Sequence, residues 1–295
     1  MGKVDFLEQV DGTRLSFDDI QASMDYLHSL DSGYGSAKSA VNTALIDGAS
    51  RQAGQAVYDF LGLGFREGSH LTSYSIGIAS PEEIRTKVLE AAPYPILKLK
   101  LGSGQDGEML QAARDAAPEK TFRIDANEAW VSPEEALRQI ERLAGDKRIE
   151  FVEQPMPATS SPDDLKWLRD RSPLPIIADE SFHTIKDVSL CADCFHGVNA
   201  KLVKTGGVTH ALDALTEARR QNLKTMIGCM IESSISITAA CHLAALADYL
   251  DVDGHLLIRN DPYHGVDASN GLLSFKTAPR PDGLRVAQTH YTKHG

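Results

Sequence analysis

The stretch PILKLKLGSG, residues 95–104, sets two lysines at alternate positions in a short apolar run that ends in glycines. Successive side chains of a strand point to opposite faces, so Lys98 and Lys100 share one face while Leu97 and Leu99 share the other. The same unit, a short apolar strand followed by a charged helix, recurs along the rest of the chain. TFRIDANEAW precedes SPEEALRQIERLAG, IEFVEQP precedes DDLKWLRDR, VNAKLVKTGG precedes THALDALTEARRQ, and TMIGCMIESS precedes SITAACHLAALADY. LTSYSIGIA, PIIADES and a short segment near DVDGHLLI add further strands. Strands of four to eight residues alternating with helices imply parallel strands joined by crossovers. Seven or eight of them fit a closed α/β barrel better than an open doubly wound sheet, since no early GxGxxG or Walker-type loop is present and the TGG after Lys204 is a weak phosphate signal.

Ahead of the repeating units the pattern is helical from Ser16 to about Leu63. SFDDIQASMDYLHSL opens with Ser16 as a cap, and SAKSAVNTALIDGASRQAGQAVYDFLG reads as one long helix closed by glycine. The tail GLLSFKTAPRPDGLRVAQTHY lacks another unit and is expected to pack back onto these helices. The division that follows is a partial helical domain, residues 1–68 completed by 270–295, and a barrel domain, residues 69–269.

A chain of 295 residues with 42% hydrophobic content can bury a large core. Its formal charge of -11 disfavours nonspecific attraction to nucleic acid or an anionic membrane. Four cysteines are too few for a disulfide framework, and the CxxC of Cys191 and Cys194 has no second pair to complete a zinc site. The opening MGKVDFLEQVDG shows no export leader, and no apolar run reaches the length of a membrane span, so a cytoplasmic protein is expected.

In a barrel, active groups come from the carboxyl ends of several strands. FRIDAN ends with Asp125 and Asn127, FVEQP with Glu153, and IIADES with Asp179 and Glu180. Carboxylates from three successive strands would repel one another at the mouth unless a hard divalent cation joins them, and oxygen donors favour magnesium, or manganese, over zinc. Lysines flank this acidic set. Lys98 and Lys100 can both point into the mouth, whereas Lys201 and Lys204, three apart, fall on opposite faces of a regular strand and only one should be inward. A metal on a substrate carboxylate would stabilise the enediolate left when an alpha proton departs, and a lysine of lowered pKa could take that proton while a second returns one to the other face.

This ordered set, LKLK, DAN, EQP, ADES, KLVKTGG and IESS, resembles the enolase superfamily in its muconate-lactonising subgroup, from about Ser36 onward. The resemblance implies a modified TIM barrel of (β/α)7β type. It implies Asp125, Glu153 and Asp179 as magnesium ligands, Lys100 and Lys201 as the two bases, and Lys98 as a neighbour that contacts the substrate carboxylate and lowers the pKa of Lys100. Lys204 is left as structural. Asp251 and Asp253, two apart in DVD, resemble the DxD signature of dipeptide epimerases and would bind a substrate ammonium. Glu232 in IESS reads either as a polar partner of the lysines or as an acid satisfied nearby. The implied substrate is an L,X-dipeptide such as L-Ala-L-Glu, epimerised at its carboxy-terminal residue as in peptidoglycan peptide recycling. No nucleic-acid or membrane partner is expected, and a homo-oligomer is compatible with the resemblance.

Members of that superfamily usually begin with a capping domain of three strands, and this chain begins almost at the helices. Muconate cycloisomerase and o-succinylbenzoate synthase chemistry would use the same metal and lysines but leave Asp251 and Asp253 without an obvious task. So would an N-succinylamino acid racemase. A truncated noncatalytic binding protein would not need a lysine on each face. Trp130 and Trp167 read as packing residues, and RNDPYHG, residues 259–265, as a surface loop.

Overall fold

The computed structural model describes residues 6–289; the first five residues and the end of the tail from His290 lie outside the described residues. Eight parallel strands run in sequential order: β1 Tyr74–Ile76, β2 Ile96–Lys100, β3 Thr121–Asp125, β4 Ile149–Glu153, β5 Ile176–Ala178, β6 Gly197–Lys201, β7 Lys224–Gly228 and β8 Tyr249–Asp251. The sheet closes where Ser73 N–H donates to Leu250 O at 3.1 Å, beside a parallel bridge between Thr72 and Leu250. Each strand before the last is followed by a helix, which is the expected (β/α)7β order.

Several of those helices start from one local device. Ser80-Pro81-Glu82-Glu83, Ser132-Pro133-Glu134-Glu135 and Ser161-Pro162-Asp163-Asp164 each cap a helix, at Pro81–Glu90, Pro133–Leu143 and Pro162–Arg169. The serine oxygen accepts an otherwise unpaired N–H of the first turn, proline sits where no N–H is needed, and the acids face the positive end of the helix dipole. Such a cap stabilises its helix by about 1 kcal/mol.

The alternation read in β2 holds around the barrel. Leu97, Leu99, Phe122, Ile124 and Val152 are buried outward against the helices. Phe151, Ile177, Met226 and Tyr249 form a separate apolar cluster, placed inside the barrel by the alternation of their strands. Arg123 joins this floor, its guanidinium 5.5 Å from the Phe151 ring and 5.2 Å from the Tyr249 ring, with Nη1 donating to Leu250 O at 2.6 Å. Above the floor the inward positions become polar, because strand register sets Lys100 beside Asp125, Asp125 beside Glu153 and Gly228 beside Asp251.

The N-terminal helices differ in detail from expectation. The first, α1 (Ile20–Leu30), is capped by Asp19, whose side chain accepts from Ala22 N, while Ser16 closes a turn just before it by accepting from Asp18 N. The long alanine-rich segment is two helices, α2 (Gly35–Gln52) and a single turn, α3 (Val57–Phe60), because Gly54 takes φ 65° and ends the first. The tail does return to these helices: Val57 N–H donates to Gly283 O at 3.0 Å, and Leu284 N–H to Asp47 Oδ1 at 2.8 Å.

His242 ties the tail and α3 to the barrel. Its Nδ1 accepts from Tyr58 N at 3.2 Å, and its Nε2 pairs with Leu284 O at 3.0 Å, so the neutral ring carries its proton on Nε2. Complete burial pushes its pKa down to about 3. The unfolded chain therefore binds a proton near the ordinary histidine pKa that the fold refuses. Stability from this site is fully present above about 6.5 and is eroded as pH falls toward the folded value, by about 1.4 kcal/mol per unit. His242→Phe should be destabilising at pH 7, and urea unfolding at pH 4.5 should find the gap to wild type narrower by roughly 2–3 kcal/mol. A gap that acid leaves unchanged would refute a neutral buried imidazole.

Candidate active site

Lys98 lies deepest in the polar layer, 3% exposed. Its Nζ is 2.8 Å from Asp251 Oδ2, 2.8 Å from Glu153 Oε2 and 3.1 Å from Asp125 Oδ2. One ammonium thus serves three carboxylates. Burial disfavours its charge, but Asp125, Asp251 and Glu153 outweigh burial and carry its pKa well above the ordinary lysine value. Lys100 is one step nearer the opening, its side chain 38% exposed, with Nζ 3.2 Å from Asp125 Oδ2 and 3.1 Å from Asn127 Oδ1. The two lysines do share a face, at different depths. The glycines that follow have their own reason: Gly102 takes φ 112°, and a Cβ there would meet Ala129 Cβ at 2.7 Å, so the loop after β2 lies hard against the loop after β3.

Strand β6 stands four places from β2 in the closed order, on the opposite side of the barrel. Lys201 ends it, with Nζ 2.6 Å from Asp179 Oδ2. The strand does not stay regular beyond this point. It turns at once into the short helix Leu202–Thr205, and a helical turn brings residue i+3 back to the same side. Lys204, expected on the other face, therefore also reaches Asp179, 2.5 Å from its Oδ1 and 2.5 Å from its main-chain oxygen. Burial would raise the Asp179 pKa, but Lys204 and Lys201 hold it below the usual carboxylate range. For Lys201 burial pushes the pKa down, but Asp179 and Glu153 more than offset that and the net direction is up. Burial prevails for Lys204, whose pKa is lowered.

Glu153 is fully buried. Its Oε1 accepts from Asn199 Nδ2 at 2.8 Å, while Oε2 has no hydrogen bond, the Lys98 contact not being directed as one. Burial pushes its pKa up to about 8 against the pull of Lys98, with Asp125 and Asp179 adding to the rise. Asn199 was not picked out from the sequence, although its position two before Lys201 puts it on the same inward face. Gly228 on the next strand leaves it room, since a Cβ there would meet Asn199 Oδ1 at 2.5 Å. Gln154 was also missed. At φ 33° its Oε1 accepts from Asp179 N at 2.9 Å and from Ser181 N at 3.1 Å, joining the loops after β4 and β5; nothing in its spacing announced this.

Asp251 and Asp253 are both buried, at 4% and 2% exposure. Asp251 accepts from the Ser73 hydroxyl at 2.7 Å besides pairing with Lys98, which together with the hydroxyl outweighs burial and lowers its pKa. Asp253 accepts from Ser75 N at 2.6 Å, and burial with the nearby Asp251 charge pushes it up to about 7. Glu232 is satisfied nearby: it accepts from Met230 N at 2.8 Å and from the Ser236 hydroxyl. It lines a cavity of about 810 Å³ beside the mouth, with Thr43, Val203, Tyr263 and Leu284. The RNDPYHG segment is more than a surface loop, because Tyr263–His264 pairs with Ala287–Gln288 and Asp261 accepts from Ser234 N at 2.6 Å. Trp130 packs in the core, and all four cysteines are free thiols.

The carboxylates of Asp125, Glu153 and Asp179 are hard oxygen donors at the ends of adjacent strands, and Glu153 offers an oxygen with no hydrogen bond. That donor chemistry fits magnesium. As the side chains stand, lysine ammonium groups hold these acids, and among the described residues no three His, Cys, Asp or Glu side chains are gathered to hold a metal ion. Among the described residues, no helix is long and apolar enough to cross a membrane.

Residues 82–279 match the family described as enolase C-terminal domain-like. An L-Ala-D/L-amino acid epimerase of Pedosphaera parvula is 60% identical over 285 residues, 97% of this chain and 82% of that protein. The L-Ala-D/L-Glu epimerase of Escherichia coli is 36% identical over 241 residues, 81% of this chain and 73% of that protein. The crystal structure of a dipeptide epimerase from Enterococcus faecalis, complexed with Mg and L-Leu-L-Tyr, superposes with a TM-score of 0.88 at 28% identity, covering 97% of this chain and 83% of that one.

Proposed function

From membership of the enolase superfamily, to which this chain belongs in the dipeptide-epimerase subgroup, we propose that Lys100 and Lys201 are the two bases of its reaction. The chain is a magnesium-dependent isomerase that epimerises dipeptides. The observation that carries the assignment of the bases is the placement of these two lysines on opposite walls of one polar layer, with carboxylates between them. Asp125, Glu153 and Asp179 are the residues that would hold magnesium, and its charge would offset the negative charge that develops as the alpha proton leaves.

The chain's own groups do the rest. Lys100 takes or returns a proton on one face of the alpha carbon and Lys201 on the other. Lys98, fixed in its charged form, meets the substrate carboxylate. Asn199 and Gln154 keep Glu153 and Asp179 oriented. Asp251 and Asp253, backed by Ser73 and Ser75, accept the substrate ammonium, which would make the inverted centre that of the carboxy-terminal residue. An L-Ala-L-Xaa substrate, L-Ala-L-Glu included, is the reading favoured by the named relatives. We place the reaction in the cytoplasm, in the turnover of peptidoglycan peptides, and divide the chain into a helical portion, residues 1–68 with 270–295, and a barrel, residues 69–269.

The test is incubation in heavy water with magnesium and a library of L-Ala-L-Xaa dipeptides, followed by mass and proton NMR. Deuterium should enter the alpha position of the second residue with inversion. No exchange with any dipeptide by folded, magnesium-loaded protein would refute the reading.

A further inference from the structure

The short helix Leu202–Thr205, which follows Lys201 directly and brings Lys204 onto Asp179, rests on α2, a helix from the far end of the chain. Gly35 lies so close that a Cβ would meet Val203 O at 2.6 Å and Lys204 O at 3.3 Å. Seven residues further along α2, Asn42 is completely buried against the glycine pair that ends the lysine turn. Its Nδ2 donates to Thr209 Oγ1 at 2.7 Å and its Oδ1 accepts from Thr209 N at 3.2 Å. Gly207 has φ 129°, and a Cβ there would strike the Asn42 side chain at 2.5 Å. The contact continues inward, since the Thr205 hydroxyl lies 3.3 Å from both Gly207 O and Lys201 O.

We propose that Asn42 is a positioning residue for Lys201: its paired hydrogen bonds to Thr209 fix the turn after β6, and so the base on that face. The inference rests on the two-base reading above. A fully buried amide satisfied on both sides by one residue is costly to disturb and holds one geometry. Lys100 is anchored on the opposite wall by Asp125 and Asn127, on β3 and the loop after it, away from α2.

Face selectivity makes this testable. Wild type, Asn42→Ala and the milder Thr209→Val are incubated in heavy water and magnesium with L-Ala-L-Xaa and, separately, L-Ala-D-Xaa mixtures, and exchange with retention is scored against inversion. Lys201→Ala identifies the epimer whose alpha proton faces Lys201. Both clamp variants should lose exchange from that same epimer, roughly 10- to 100-fold for Asn42→Ala as expected for a small misplacement of a reacting group. Exchange with retention from the other epimer, through Lys100, should persist. Equal losses from both epimers, as a core variant such as Ile140→Ala would give by general destabilisation, would overturn the proposal, and so would no loss in either clamp variant. Wild type that exchanges neither epimer would remove the epimerase reading itself, and the inference with it, before any variant is compared.

Discussion

Lys201→Ala should lower epimerisation by about 10²–10⁴-fold, the usual contribution of a positioned acid or base, while leaving one half-reaction intact. The fold should tolerate the change, because Lys204 still pairs with Asp179 at 2.5 Å after the 2.6 Å contact from Lys201 is gone. Lys100 remains on the opposite wall with its contacts to Asp125 and Asn127. The variant should therefore exchange deuterium into one epimer of the substrate without inverting it, and Lys100→Ala should do the same with the other. Isotope exchange followed separately from each epimer checks this. Loss of exchange from the same epimer in both variants would mean that the two lysines do not attend opposite faces.

Lys98→Met should be the most destabilising single change at the site. It removes the one ammonium shared by Asp125, Glu153 and Asp251, side chains that are 1%, 0% and 5% exposed. Taking away one partner of a buried ion pair costs about 3–5 kcal/mol, because the remaining charge stays desolvated and unpaired. In a chain of this size that corresponds to a fall in Tm of roughly 10 °C. Chelator-treated protein should show the full deficit. Magnesium should recover part of it, since two of the three acids that lose Lys98, Asp125 and Glu153, are proposed ligands and a cation bound only to the folded state stabilises it. Thermal unfolding with and without magnesium measures both. An unchanged Tm in chelator would mean that the three carboxylates are not held by Lys98.

Much of this could be read along the chain because it is local or periodic. The alternation in ILKLK separates Leu97 and Leu99 from Lys98 and Lys100 without reference to any other strand, and the structure keeps that division. The same period puts Asp125, Glu153 and Asp179 at strand ends on the inner wall. Where the local rule changed, the reading failed with it. Lys204 was assigned by counting twos past Lys201, but the strand had already become a helix, and the count that applies there returns Lys204 to Asp179. Ser16 was read as the cap, but that role falls to Asp19 through its bond to Ala22 N, with Ser16 closing the turn just outside the helix.

The sequence by itself determined the repeat of strand and helix, the parallel barrel it implies, and the residue types that meet at its mouth, because those depend on periodicity and on which side chains tolerate burial. Only the tertiary structure decided how the charges pair. That Lys98 serves three acids from three strands, that Asn199 supports Glu153, and that Asn42 grips Thr209 across 167 positions are contacts between distant segments. The pKa directions follow from those contacts: Lys201 is raised because Asp179 lies 2.6 Å away, a distance fixed by the packing of β5 against β6 and of α2 against the turn beyond.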